Sequence, residues 1–362
     1  MSPTQSPKHI NLMQPYVPPG AIEAVTDTLR SRWIGQGPKC DEFERRFSEL
    51  VGGRQCLAVG SCTDALHLAY LLAGIGPGDE VIAPVFTCTA TNIPLLWLGA
   101  DIKFADVEPS SLNVNPWAVQ DLITDRTKAI VTVHYGGTPA KLYPSDIPII
   151  EDCAQALGGK FKNGTPIGSH GEFGCFSFQA VKHVTTGDGG MLVLPDELAD
   201  KARRMRWFGI DRKAKLNGTW ANDIYEVGYK YQLTDIGAAM GLAGLDSLDG
   251  QLEHRRFLMM TYVRGLSGIA GISLIMADPD GAAWLCTVLV ERREDFRRKL
   301  AECGIESDQV HYRNDRYSIF AKFRGEFPNM DAIDSKYLCL PLHMGMTVED
   351  VDYVCGVIRS GW

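Results

Sequence analysis

The stretch Ser177-Phe-Gln-Ala-Val-Lys182-His-Val-Thr-Thr-Gly187-Asp-Gly-Gly190 decides how the chain reads. An apolar run, residues 173–178, leads into it, and a second, Met191-Leu-Val-Leu, leads out. Short apolar runs punctuated by glycines read as buried strand segments joined by a loop. That loop holds one lysine. A lone lysine after a strand is ordinarily a solvated loop residue; the alternative is a reactive amine in a pocket. An amine in mostly apolar surroundings loses proton affinity and attacks carbonyls, forming a Schiff base. Gly187, Gly189 and Gly190 would let the backbone approach a ligand closely.

Upstream of this loop, strand and helix patterns alternate. Strands are expected at 55–59, 80–84, 102–105, 129–134 and 148–150, and helices at 20–32, 40–51, 63–73 and 90–98. The alternation predicts an α/β fold, a mostly parallel sheet covered by helices on both faces. Ligand sites then lie outside the carboxyl ends of the strands. After Leu233 the pattern changes to two long helices, 234–248 and 253–266, then a strand at 286–290 and helices at 293–303 and 348–359. The domain boundary is placed near 245–250. A large domain, 1–248 with its N-terminal segment, precedes a smaller C-terminal α/β domain, 249–362.

With 362 residues, 45% hydrophobic and 22% charged, the chain has the composition of a globular protein with a sizeable core. Its net charge of −8, without a basic block, argues against nucleic acid and anionic membrane as partners. The ten cysteines form no C-x-x-C pair, which disfavours a zinc ribbon or a redox motif, and no metal site is expected. The polar start of the chain and the lack of a long apolar run point to a reduced, cytoplasmic protein.

Two further strand ends carry chemistry. In Val59-Gly-Ser-Cys62-Thr63-Asp a strand gives way to a helix starting at about Thr63. Free N–H groups and hydroxyls there form an anion cup suited to phosphate; a plain N-cap explains the same residues. In Ile147-Pro-Ile-Ile-Glu151-Asp152-Cys-Ala-Gln155 an acidic pair closes a buried strand. A buried carboxylate needs a cation, such as a protonated pyridine nitrogen, to stay ionised. Helix capping by Asp152 is the alternative. A phosphate cup with Ser177 adding a hydroxyl, a carboxylate for a pyridinium and a lysine for an aldehyde are together what pyridoxal 5′-phosphate requires.

Over nearly its whole length the chain resembles the DegT/DnrJ/EryC1/StrS group of PLP-dependent sugar aminotransferases, of fold type I. The resemblance runs through Trp33-Ile-Gly-Gln-Gly-Pro, Ser61-Cys-Thr-Asp-Ala-Leu, Glu151-Asp-Cys-Ala-Gln-Ala-Leu-Gly, the lysine stretch, Gly228-Tyr-Lys-Tyr-Gln-Leu-Thr-Asp and Leu340-Pro-Leu-His. It implies that Lys182 forms the aldimine with the cofactor and later shuttles a proton. It further implies that Asp152 pairs with the ring nitrogen and that Gln155 lies beside the ring. Cys62, Thr63 and Ser177 would hold the phosphate. It also implies a homodimer in which the segment holding Lys230, where the family has Asn, reaches the partner's phosphate. Cys88 stands where the family usually stacks an aromatic on the ring, leaving Cys88 or Phe86 to cover it. His183, beside the lysine, and His311, Tyr312 and Arg313, at the expected substrate mouth, are the substrate candidates. His134 and His343, in family-typical strand-end motifs, either line the pocket or serve structure.

The expected reaction moves an amino group from an amino acid, L-glutamate, to a nucleotide-linked keto-deoxysugar, a 4-keto-6-deoxyhexose. A PLP-dependent sugar dehydratase and a non-catalytic PLP-binding regulator are the alternatives. The dehydrating branch carries His at the lysine position, where this chain has Lys182.

Overall fold

The structure, a computed structural model, describes residues 9–141, 146–221, 223–275 and 278–362. Its strands are β1 (Gln55–Val59), β2 (Glu80–Pro84), β3 (Phe86–Thr87), β4 (Asp101–Ala105), β5 (Thr127–Val133), β6 (Ile149–Asp152), β7 (Phe173–Ser177), β8 (Gly190–Leu194), β9 (Ile272–Leu274), β10 (Cys286–Val290), β11 (Tyr312–Arg313) and β12 (Tyr337–Leu340). Seven of them form the main sheet in the order β1-β8-β7-β6-β5-β2-β4. All its pairings are parallel except those of β8, which runs against both β1 and β7.

The crossovers of a mostly parallel sheet put helices on both faces, so both faces are buried. Along β8, Leu192 and Leu194 join one core with the Cys62–Leu72 helix, while Met191 and Val193 join the other with the Pro38–Leu50 and Asp235–Asp246 helices. Such strands read as continuous apolar runs, which is how β7 and β8 look in the sequence. Ser177 of β7 and Val59 of β1 both pair with Gly190 of β8. One edge of the sheet therefore gathers the ends of β1, β2, β5, β6 and β7 with the start of β8.

Within the expected boundary region, 245–250, Ser247 separates the Asp235–Asp246 and Leu248–Leu266 helices. Beyond it, β12, β10 and β9 form an antiparallel sheet. Its apolar side packs with the Leu248–Leu266, Arg293–Glu302 and Val348–Arg359 helices into a separate core. The N-terminal segment, expected with the large domain, touches both cores: Ile10 bridges Ile305 and is buried in the C-terminal core, whereas Leu12 and Met13 pack on the main one. The two parts are joined beside the sheet edge by a short ladder, Tyr312 with Thr87 and Arg313 with Phe86. Among the described residues, no helix is long and apolar enough to cross a membrane.

Candidate active site

Lys182 is presented by the hairpin loop between β7 and β8. Phe178 and Gly189 close the loop, N–H to carbonyl, at 2.8 Å, and the Lys182 N–H closes an inner turn onto the Gln179 carbonyl at 2.9 Å. Gly187 takes a left-handed φ of 83°, which a side chain would resist. Gly190 answers a different need. A Cβ there would lie 2.4 Å from the Ser61 carbonyl carbon, so the close approach expected toward a ligand is instead an approach to the Ser61–Cys62 backbone. Burial lowers the Lys182 amine to about 8, against the opposing pull of the Asp152 carboxylate. The amine is thus nearer to its nucleophilic form at neutral pH than a surface lysine.

Asp152 ends β6 and is buried. Its Oδ2 accepts the Thr91 hydroxyl proton at 2.7 Å, and its Oδ1 accepts the Ala154 N–H at 3.0 Å. No helix follows, so its bond to Ala154 is a local turn contact and not the helix cap weighed from the sequence. Because Thr91 donates to the carboxylate, its oxygen accepts from Thr87, 2.9 Å away. The Cys62 thiol lies 4.0 Å from Oδ1. Among the described residues no cation comes within ion-pair distance of Asp152. Burial accordingly pushes its carboxyl above the ordinary value, with Thr91 and Ala154 pulling the other way. Glu151 points to the opposite face. Its carboxylate takes the His134 ring at 3.0 Å and the N–H groups of Gly168, His170 and Gly171.

The anion cup begins one residue earlier than expected. Ser61 caps the Cys62–Leu72 helix, its hydroxyl oxygen accepting the Asp64 N–H at 3.0 Å. That bond satisfies one orphan donor of the first turn and leaves the Cys62 and Thr63 N–H groups pointing out of the helix end. Ser177 stands across the β8 strand from this end. Its oxygen accepts the Gln179 N–H at 3.3 Å, so its proton remains to be donated.

The site's far wall was legible only in part. Gln155 accepts the Gly136 N–H on Oε1 at 2.7 Å, which turns its NH2 toward His311 Nε2 at 3.0 Å. That nitrogen must accept, so the His311 proton sits on Nδ1. Burial, reinforced by nearby Lys182, lowers His311 to about 3, keeping the ring neutral. The His311 ring stacks on Trp284, centroids 6.0 Å apart at 23°. Lys182 Nζ lies 3.6 Å over the indole. Trp284 and Thr91 were not singled out from the sequence. The Thr87-x-x-x-Thr91 spacing after a strand was the available signal for Thr91.

The other candidates divide. Cys88 is exposed. Phe86 is fully buried against Tyr135 and Tyr337, so it is committed to the core and cannot lie over a ring in the cleft. Tyr312 is exposed beside this strand, whereas the Arg313 guanidinium is spent on Asp315, at 2.7 and 2.9 Å, and on Asp331. His183 donates from Nε2 to the Ala282 carbonyl at 2.7 Å. Burial, with Arg255 adding to it, lowers that ring to about 3. Lys230 is exposed and bonds Gln232. His343 uses both ring nitrogens on backbone, the Asn11 carbonyl and the Gly345 N–H. His134 is equally committed, Nε2 to Glu151 and Nδ1 to the Ala140 N–H.

These residues fit pyridoxal phosphate on their own terms: an ion-pair-free buried carboxylate for a ring cation, outward N–H groups for a phosphate, and an amine of lowered proton affinity for an aldehyde. Fold and site together define a fold type I PLP enzyme. The DegT/DnrJ/EryC1/StrS aminotransferase family model matches residues 19–359. Spore coat polysaccharide biosynthesis protein SpsC of Bacillus subtilis is 35% identical over 364 residues, covering 94% of this chain and 93% of its own. The sugar aminotransferase CalS13 from Micromonospora echinospora shares 34% identity at a TM-score of 0.91, over 98% of this chain and 100% of its own. The PLP form of Spr1654 from Streptococcus pneumoniae shares 28% identity at a TM-score of 0.90, over 98% of each chain. The chain belongs to the DegT/DnrJ/EryC1/StrS aminotransferase family, and by class it is a PLP-dependent sugar aminotransferase.

Proposed function

We propose that the protein transfers an amino group from L-glutamate to a nucleotide-linked 4-keto-6-deoxyhexose, as a homodimer of the cytoplasm whose sites lie at the subunit interface. The likeness to SpsC and CalS13 favours polysaccharide or sugar-product biosynthesis as its setting. The observation that carries the reading is the juxtaposition at one sheet edge of a lysine amine, a buried carboxylate lacking an ion pair, and a half-satisfied helix start.

When bound, pyridoxal phosphate supplies an aldehyde carbon and an electron-withdrawing ring. The chain's residues do the rest. Asp152, held by Thr91 and Ala154, keeps a proton on the ring nitrogen by supplying the negative charge beside it. The Cys62 and Thr63 N–H groups and the Ser177 hydroxyl hold the phosphate, with Lys230 of one protomer serving its partner's site. Lys182 Nζ, its proton affinity lowered by burial, would take up and return a proton at the reacting centre. Gln155 and His311 line the side from which the sugar enters, with Tyr312 at its mouth. His183 is the weaker candidate, its proton already committed to Ala282.

Adding glutamate to the purified protein should replace the visible absorption of the bound cofactor with that of its amine form. A panel of nucleotide keto-sugars, products read by mass, should then return the absorption with one of them. No spectral change with any amino acid would sink the aminotransferase reading, and a Lys182→Ala protein with full half-reaction rates would sink the site.

A further inference from the structure

The Trp284 indole is held from several sides. Its Nε1–H donates to the Val181 carbonyl at 3.1 Å, so the ring is tied to the residue just before the lysine. His311 stacks on it and is in turn fixed by Gln155. The residue is buried, at 3% exposure, so the ring cannot swing without breaking these contacts. Lys182 Nζ sits over the face of this immobile ring, 3.6 Å from its centroid. Indole offers the strongest aromatic attraction for a cation, and a lysine side chain carries more rotamer freedom than most to be restrained.

We propose that the Trp284 indole is the resting face of the Lys182 amine, holding it at the reaction centre whenever it is not bonded to the cofactor. Trp284 is then a positioning residue. The inference rests on the reading of Lys182 as the cofactor-bonding amine and deepens it. The face attracts the protonated amine more than the neutral one. A lysine that has just taken a proton is therefore kept beside the atoms that must receive it, and one that has delivered its proton is released more readily. Asp152 from the end of β6 faces the amine as the favourable charge, while the Cys62 thiol at the helix start, its proton held by burial, is neutral. Arg255 of the Leu248–Leu266 helix opposes its charge, and His311 is neutral.

Fluorination tests this without changing shape, because fluorine withdraws charge from the indole face while leaving its packing nearly intact. Full-length protein freed of cofactor would be prepared with tryptophan, 5-fluorotryptophan or 5,7-difluorotryptophan. The pH dependence of trace acetylation at Lys182 would be read from the mass of its peptide. Each fluorine should lower the midpoint by roughly a few tenths of a pH unit. The same substitutions in a Trp284→Phe background should leave it unmoved. Midpoints indifferent to fluorination, or shifts that persist in the Trp284→Phe background, would overturn the proposal. Should that background fail to fold, fluorotryptophan placed at position 284 alone decides the matter by the same midpoints. Failure of the protein to bind pyridoxal phosphate would instead defeat the reading of Lys182 and leave the labelling result standing.

Discussion

Asp152 is buried as a carboxylate with hydrogen bonds but no ion pair among the described residues, and this gives a prediction opposite in sign for stability and activity. Burial raises its folded pKa, so the folded protein holds that proton more tightly than the unfolded chain. Without cofactor, stability must then fall as pH rises from the unfolded aspartate range through the folded pKa. Asp152→Asn removes the charge. Its oxygen can keep the Ala154 N–H, while its NH2 donates to Thr91 Oγ1, whose proton turns to Thr87. The cofactor-free variant should therefore resist urea at least as well as the wild type at neutral pH, and lose that advantage in acid. Turnover should drop at least about a hundredfold for want of the ring-nitrogen partner. A variant less stable than wild type at pH 7 would show the carboxylate is already compensated. Lys182 could be found from sequence because it is the lone lysine of the loop after a strand, and Asp152 because it closes an acidic pair at the end of a buried apolar strand. Trp284 could not, and Thr91 only through its spacing from Thr87, because their meaning lies in contacts with residues 103 and 61 positions away. His311 was half visible: its polar neighbourhood stood out, but its fixed tautomer depends on Gln155, 156 positions distant.

Elements were read from the same signals that hold them in place. The strands entering the site were legible as apolar runs because a doubly covered sheet needs them on both faces. The Gly190–Leu194 run could be seen as apolar but not as antiparallel, since direction depends on the hairpin loop and not on composition. The short β9 and β12 strands carry too few residues to show a period, and they were missed. One helix start makes a sharp test of how the elements lock together. The Pro38–Leu50 helix lacks a cap of its own, since Gly37 precedes it. Asp235, buried at the start of a helix far along the chain, supplies the cap: its carboxylate accepts N–H groups from Gly37 at 2.7 Å, Lys39 at 3.1 Å and Cys40 at 3.0 Å. Asp235→Ala leaves those buried donors unsatisfied and should cost about 2–3 kcal/mol in urea unfolding. Asp235→Asn, which keeps an accepting oxygen, should cost about 1 kcal/mol. Equal losses for both variants would mean that charge at the helix end, and not hydrogen bonding, is what Asp235 provides.

At the scale of the whole molecule, the segment before Lys230 is out of character for a surface. Phe208, Trp220, Ile224, Tyr225 and Val227 all stand exposed within it, and Trp33 and Ile34 are exposed as well. Exposed apolar side chains so concentrated mark an interaction surface. On the proposed reading the occupant is a second copy of the chain, with Lys230 reaching the partner's phosphate. That arrangement can be separated from one in which Lys230 serves its own site. Lys182→Ala removes the amine, and Lys230→Glu places a carboxylate against the phosphate, so each homodimer should lose nearly all turnover. Unfolding and refolding the two together in equal amounts gives hybrids in half of the dimers. If Lys230 crosses the interface, one site of each hybrid pairs the intact Lys182 of one protomer with the intact Lys230 of the other. The mixture should then recover about a quarter of wild-type activity, as isologous assembly requires. If Lys230 serves its own protomer, every site in the hybrid carries one lesion and the mixture stays as inactive as its parents. Activity measured before and after co-refolding distinguishes the two, and a mixture that recovers nothing, with hybrids demonstrated by mass, would refute a shared site.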